Sequence, residues 1–264
     1  MRAFHVICGL PRSGSTLLCN ILAQNPAFSV LHTSPLPMLL DHFAQGVTET
    51  PEIKGMLAKD RRETDALVFD AARAMVDAFS NTSGVAFDKN RLWNVHQFTL
   101  GLLDPDAKMI VCIRDLRAIF GSTEKQWRRN PLMQIPPGAT MRARMDNQFD
   151  RQGIIGSSLF GIEDLVLTEN PRVFWLAYEA LCADPQMTMR RLYDHIGEPE
   201  FKHDFEKIKS TAVDPDWLYL GKFPHEGAGK LKDRTDWQRY VPQQLAGEIV
   251  TNHRNFMQWF GYVP

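Results

Sequence analysis

The stretch that most limits what this chain can fold into lies at its start. There the apolar run Phe4-His5-Val6-Ile7-Cys8 passes without a break into Gly9-Leu10-Pro11-Arg12-Ser13-Gly14-Ser15-Thr16. A short apolar run bounded by glycine reads as a buried strand, and Ser15 to Gln24 reads as the helix behind the loop. Asn25-Pro26 closes that helix, because a residue before proline avoids the helical region. The two glycines let the backbone turn tightly enough for successive N–H groups to converge on an anion. The helix starting there adds the positive end of its dipole. Strand, glycine loop and helix in that order predict a phosphate-binding turn.

The remainder of the chain continues the alternation. Strands are expected at Val85 to Phe87, Lys108 to Ile113 and Val173 to Tyr178. Helices are expected at Met38 to Ala44, Asp60 to Ser80, Leu92 to Leu103, Leu116 to Arg128, Met187 to Ile196 and Gln243 to Phe260. Thr140 to Leu167 is a mostly helical stretch weakened by Gly153 and Gly156, and Ala212 to Tyr240 has no period. Strands separated by helices predict an α/β fold of the P-loop type, three layers with a central parallel sheet flanked by helices, in one domain over residues 1–264. A net charge of −1 excludes a global grip on nucleic acid or acidic lipid, so any anion site is built locally. No apolar run approaches the roughly 18–20 residues of a membrane span, and no signal-peptide pattern precedes the first strand. Cys8, Cys19, Cys112 and Cys182 have neither metal-type spacing nor a disulfide pattern, so a cytoplasmic setting is expected.

One position selects among phosphate-binding loops. Where a nucleoside-triphosphate loop carries the lysine that reaches the β- and γ-phosphates, this chain has Ser15. The cation stands instead at Arg12. Gly-x-Pro-Arg-Ser-Gly-Ser-Thr-Leu resembles the 5′-phosphosulfate loop of sulfotransferases that use 3′-phosphoadenosine 5′-phosphosulfate (PAPS). It is closer to the protein-tyrosine and related bacterial enzymes than to the cytosolic ones, which carry lysine where Arg12 stands. The resemblance implies that Arg12, Ser13, Gly14, Ser15 and Thr16 hold the 5′-phosphate, with no metal.

A second motif, Ile110 to Ile113 followed by Arg114 and a helix carrying Ser122, sets an arginine at the carboxyl end of a strand, where open parallel sheets bind ligands. In order and spacing it resembles the same family's 3′-phosphate motif, which assigns Arg114 and Ser122 to that phosphate; Arg117 reads as a solvated helix residue. The resemblance further implies Lys89 of Asp88-Lys89-Asn90 as the cation at the transferring sulfonate, and Tyr178 of Tyr178-Glu179 near the adenine. Ser210 and Thr211 fall where tyrosine-protein relatives have hydroxyls near the cofactor. Lys230, Lys232 or Arg234 stands for the late basic segment that closes over PAPS.

The base is less legible. Cytosolic members have a histidine two residues after the active-site lysine, and Arg91 stands there; protein-tyrosine members use a glutamate, and counting lands on Thr33. His32 beside it is the first choice, since imidazole titrates near neutrality, with Asp41, His42 and His96 as alternatives. The catalytic set is then Lys89, Arg12 and His32. The acceptor is left open among a small molecule, a sugar and a peptide tyrosine, as is the oligomeric state. Residues 34–80 and 130–165 shape its cleft, and Phe43, Met133, Phe149 and Phe160 either line it or pack the core. The rival readings are a P-loop small-molecule kinase and an inactive PAPS-binding homologue.

Overall fold

The computed structural model describes residues 2–129, 139–211 and 228–264. Met133 and Gly227 lie outside them, as do residues 212–227 of the stretch without a period. The described chain is built on five parallel strands, β1 (Ala3–Gly9), β2 (Phe28–Leu31), β3 (Val85–Lys89), β4 (Met109–Ile113) and β5 (Val173–Ala177), in the order β2-β3-β1-β4-β5. Among the described residues no helix is long and apolar enough to cross a membrane.

The strands are apolar at consecutive positions because both faces are covered. In β1, Phe4, Val6 and Cys8 pack into one core and Ile7 into the other; in β4, Met109, Val111 and Ile113 face the first while Ile110 and Cys112 face the second. This two-residue alternation places α1 (Ser15–Leu22) and two later helices, α9 (Tyr178–Ala183) and α10 (Pro185–Ile196), on one side. The opposite core takes side chains from α2 (Leu36–Glu49), α4 (Arg61–Ser80), α5 (Gln97–Leu103), α6 (Leu116–Arg129), α7 (Met141–Phe149), α8 (Gly156–Leu167), α11 (Gln243–Asn252) and α12 (Arg254–Trp259). α3 (Pro51–Lys59) contributes no buried residue. Burial raises the Cys19 thiol to about 12, as befits an inert core thiol, and all four cysteines are free.

Several boundaries differ from the pattern-based expectation, each for a local reason. The 140–167 stretch is two helices, because Gly153 and Gly156 let the chain fold back on itself; a Cβ would lie 2.2 Å from the Asn147 oxygen or 2.0 Å from that of Asp150. Leu92 to Leu103 splits into a 3₁₀ turn, Arg91–Asn94, and α5, and the last helix breaks at His253. Tyr178-Glu179 opens α9 rather than ending β5. The half-buried β2 and the exposed α3 carry no periodicity and were not expected.

β1 leads through α1 and β2 to one side of the sheet, while β4 and β5 lie on the other. The connections therefore reverse direction between β1 and β4, the switch point at which open sheets of this class form a crevice. Parallel pairing brings all five carboxyl ends to one edge.

Candidate functional site

Along that edge the strands end at Leu31, Lys89, Gly9, Ile113 and Ala177. The residues singled out from the sequence either close these strands or leave them directly: His32, Lys89, Arg12 to Thr16, Arg114 and Tyr178. Five distant segments thus meet in a line.

The glycine loop is shaped by contact as much as by its own flexibility. Gly9 has φ +114°, and a Cβ there would meet the Cys112 carbonyl oxygen at 2.1 Å. Gly14 has φ +89°, and its Cβ would sit 2.7 Å from the Tyr178 ring. Between them Arg12, at φ +57°, holds the left-handed conformation that costs a side-chain-bearing residue about 1–2 kcal/mol. Such alternation turns backbone N–H groups into an anion-binding concavity. Asn94, fully buried, pins the loop's entrance: its Oδ1 accepts from Gly9 N at 2.9 Å and its Nδ2 donates to Gly9 O at 3.2 Å. No sequence signal marks Asn94, whose partner is 85 residues away.

The second motif docks on the first. Arg12 Nε donates to Ser122 Oγ at 3.2 Å, and Arg114 donates through Nη1 to the Arg12 carbonyl (3.0 Å) and through Nη2 to that of Arg234 (2.5 Å). The Arg114 guanidinium lies 4.1 Å over the Tyr178 ring, and Tyr178 Oη donates to the Lys232 carbonyl at 2.9 Å. Burial raises the Tyr178 hydroxyl well above its ordinary range, so it stays a neutral donor. Seven of the residues lining the resulting cleft are Lys or Arg, against one carboxylate, Asp236. In a chain of net charge −1 this is a local concentration of positive charge. Trp237 also lines the cleft, seated so near Gly121 that a Cβ there would come within 2.9 Å of its side chain.

Arg117, Lys230 and Lys232 each have a protein contact that the sequence does not show. Arg117 is not solvated: its guanidinium is paired with Asp115 at 2.6 Å and donates to the Tyr262 carbonyl, while Glu179 accepts from Asp115 N and Tyr262 Oη. This network clamps the Arg114 loop to the last residues of the chain. Lys230 reaches out to Glu206 at 2.8 Å, both largely exposed, and Lys232 meets Tyr178 through its carbonyl.

Lys89 and His32 stand on the flank of the cleft. Lys89 Nζ donates to Thr16 Oγ1 at 3.0 Å, in the first turn of α1. One turn on, Asn20 Oδ1 accepts from the backbone N–H and the hydroxyl of Thr211, which is 2.7 Å from His32 Nε2. The pairing of Leu31 with Asp88 brings His32 level with Lys89 on the neighbouring strand. Of the alternative bases, His42 is exposed and bonded to the Met38 carbonyl, and His96 pairs with Asp41 at 3.9 Å. Phe43 and Phe149 pack against the core, whereas Phe160 is exposed beneath Arg151.

Asp88 points to the opposite face, fully buried, and accepts from Trp93 Nε1 at 2.6 Å. Burial pushes its carboxyl from 3.8 up to about 6, against the opposing effect of hydrogen bonds from Ser34 and Trp93. The folded state therefore binds this proton more tightly than the unfolded chain. Stability falls as pH rises from about 4 to 6, and the whole cost, on the order of 3 kcal/mol, is present above that window. Asp88→Asn keeps an acceptor for Trp93 and cannot ionise. It should be about 2–3 kcal/mol more stable than the parent at pH 8 and gain little at pH 4. Urea melts showing the same difference at both pH values would refute this.

The sequence model of the sulfotransferase family matches residues 6–203. A mouse sulfotransferase complexed with PAP superposes with a TM-score of 0.59 at 14% identity, covering 97% of this chain and 83% of that one. A sulfotransferase from Mycobacterium avium gives 0.51 at 18% identity, covering 96% and 76%. The sulfotransferase domain of the Synechococcus PCC 7002 olefin synthase gives 0.51 at 20%, covering 94% of each. At these identities the likeness to solved structures is one of fold. No curated protein sequence matches the chain.

Proposed function

The chain belongs to the sulfotransferase family, and on that premise we propose that it moves a sulfuryl group from PAPS to a hydroxyl, or an amine, of an acceptor. The observation that carries the choice of donor is the union of a glycine loop lacking the triphosphate-binding lysine with the Arg114 motif. The two are joined by the Arg12–Ser122 hydrogen bond in one cationic cleft. A nucleotide with two separated phosphates, at the 5′ and 3′ positions, matches two separated cationic anchors.

In this reading the amides of Ser13 to Thr16 and the α1 dipole hold the 5′-phosphate, and Arg114 and Ser122 hold the 3′-phosphate. Tyr178 flanks the adenine, while Lys230 and Lys232 belong to the segment covering the nucleotide. The acceptor oxygen attacks sulfur in line. The bond from sulfur to the bridging phosphate oxygen breaks, and Arg12 and Lys89 stabilise the charge that collects there. The acceptor's proton passes to His32. His32 Nε2 is engaged with Thr211 and Nδ1 is buried, so the Thr211 contact opens when His32 takes the proton. One domain working in the cytoplasm is the setting that fits four free thiols.

Nucleotide preference is the test. Titration should give micromolar or tighter binding of 3′,5′-adenosine bisphosphate (PAP), the sulfate-depleted donor, and weak binding of ATP. Magnesium-dependent tight ATP binding with no response to PAP would replace this reading with a kinase. Transfer of labelled sulfate from PAPS to a panel of phenols, sugars, peptides and amino-alcohols then separates an enzyme from an inactive binding homologue.

A further inference from the structure

The residues of α6 that line the cleft are Ala118, Gly121, Ser122, Lys125, Gln126 and Arg129. Their spacing of three and four marks a single helical face. Most of these have an evident reason to be there: the first two are small, Ser122 bonds Arg12, and the two cations, Lys125 and Arg129, suit anions. Gln126 differs. It is 5% exposed, and its Oε1 is buried with no hydrogen-bond partner. Buried carboxamides are normally satisfied, and a well-packed Leu or Met would occupy such a wall at lower cost. A polar group retained there without a protein partner, facing a ligand cleft, is in place for a group that the ligand supplies.

Its position says which group. Gln126 lies one turn beyond Ser122, and a turn rises about 5.4 Å along the helix axis. Given that Ser122 holds the 3′-phosphate, a point one turn away on the same wall is within reach of the hydroxyl on the adjacent ribose carbon. A carboxamide and a hydroxyl suit each other, because each both donates and accepts. We propose that Gln126 binds the ribose 2′-hydroxyl of the nucleotide and so reads the sugar next to the phosphate that Arg114 and Ser122 read. This rests on the donor assignment made above.

The test uses the intact protein with two probes, PAP and 2′-deoxyadenosine 3′,5′-bisphosphate, titrated against the parent and Gln126→Leu. The parent should bind PAP about five- to tenfold more tightly than the deoxy nucleotide, and Gln126→Leu should bind both with the parent's deoxy affinity. The variant's melting temperature without nucleotide should equal or exceed the parent's, since Gln126 Oε1 has no protein hydrogen bond to lose. Equal weakening of both probes would overturn the assignment to the 2′-hydroxyl, and unchanged affinity for both would remove Gln126 from the site. A lowered melting temperature with unchanged discrimination would make it a packing residue. Failure of the parent to bind PAP would instead overturn the donor assignment itself, so the two failures are distinguishable. Gln126→Glu, of the same size but anionic beside the 3′-phosphate, should weaken both probes.

Discussion

Arg114→Ala is expected to weaken PAP binding by about 100- to 1,000-fold while costing 5′-AMP roughly tenfold or less. The larger figure is the loss of two charge-assisted hydrogen bonds to one phosphate, each on the order of 1.5–3 kcal/mol when the acceptor is charged. The smaller one has a separate origin. Arg114 also donates to the carbonyls of Arg12 and Arg234 and stacks on Tyr178, so its removal loosens the glycine loop and the covering segment for any nucleotide. Titration of both nucleotides, with thermal melts to confirm folding, separates the two contributions. An equal loss for PAP and 5′-AMP would show that Arg114 only braces the loop and reads no 3′-phosphate.

Lys89→Ala should lower turnover by about 100- to 1,000-fold with a much smaller change in PAP affinity, because charge on the bridging oxygen develops only as the bond to sulfur breaks. Single-turnover transfer from labelled PAPS to an acceptor identified in the panel gives the rate, and titration gives the affinity. If affinity falls as steeply as rate, Lys89 holds the ground-state phosphate through its contact with Thr16 and has no special part in the transfer. His32→Ala belongs in the same experiment. A base should cost about 100-fold or more and remove the acidic limb of the pH–rate profile. Nearly full turnover would exclude His32.

The motifs of the proposed donor site were legible early because their parts are local. A glycine loop between a strand and a helix, or an arginine at a strand end with a serine two turns on, is written within about a dozen residues. The parts that resisted are those whose reason for being there lies far away in the chain. Asn94 supports Gly9 across 85 residues, and Arg117 looks solvated until Asp115 and the Tyr262 carbonyl are seen around it. Secondary structure follows the same divide. The helices with a clear apolar stripe were foreseen, while β2, half-buried at the sheet's edge, and α3, which buries nothing, lack a pattern for periodicity to detect.

By itself, then, the sequence determined the class of fold and the turn from strand through glycine loop to helix, and the serine at position 15 with the arginine at position 12 carried the family resemblance. These follow from short-range sterics and from which side chains are present. Only the tertiary structure decided that Arg12 reaches Ser122, that seven cationic residues share one wall-lined cleft in a nearly neutral chain, and that a carboxamide is buried there without a partner. Parallel strand pairing is the physical reason. It brings the carboxyl ends of five segments to one edge, and the side chains that meet there are neighbours in space without being neighbours in the chain.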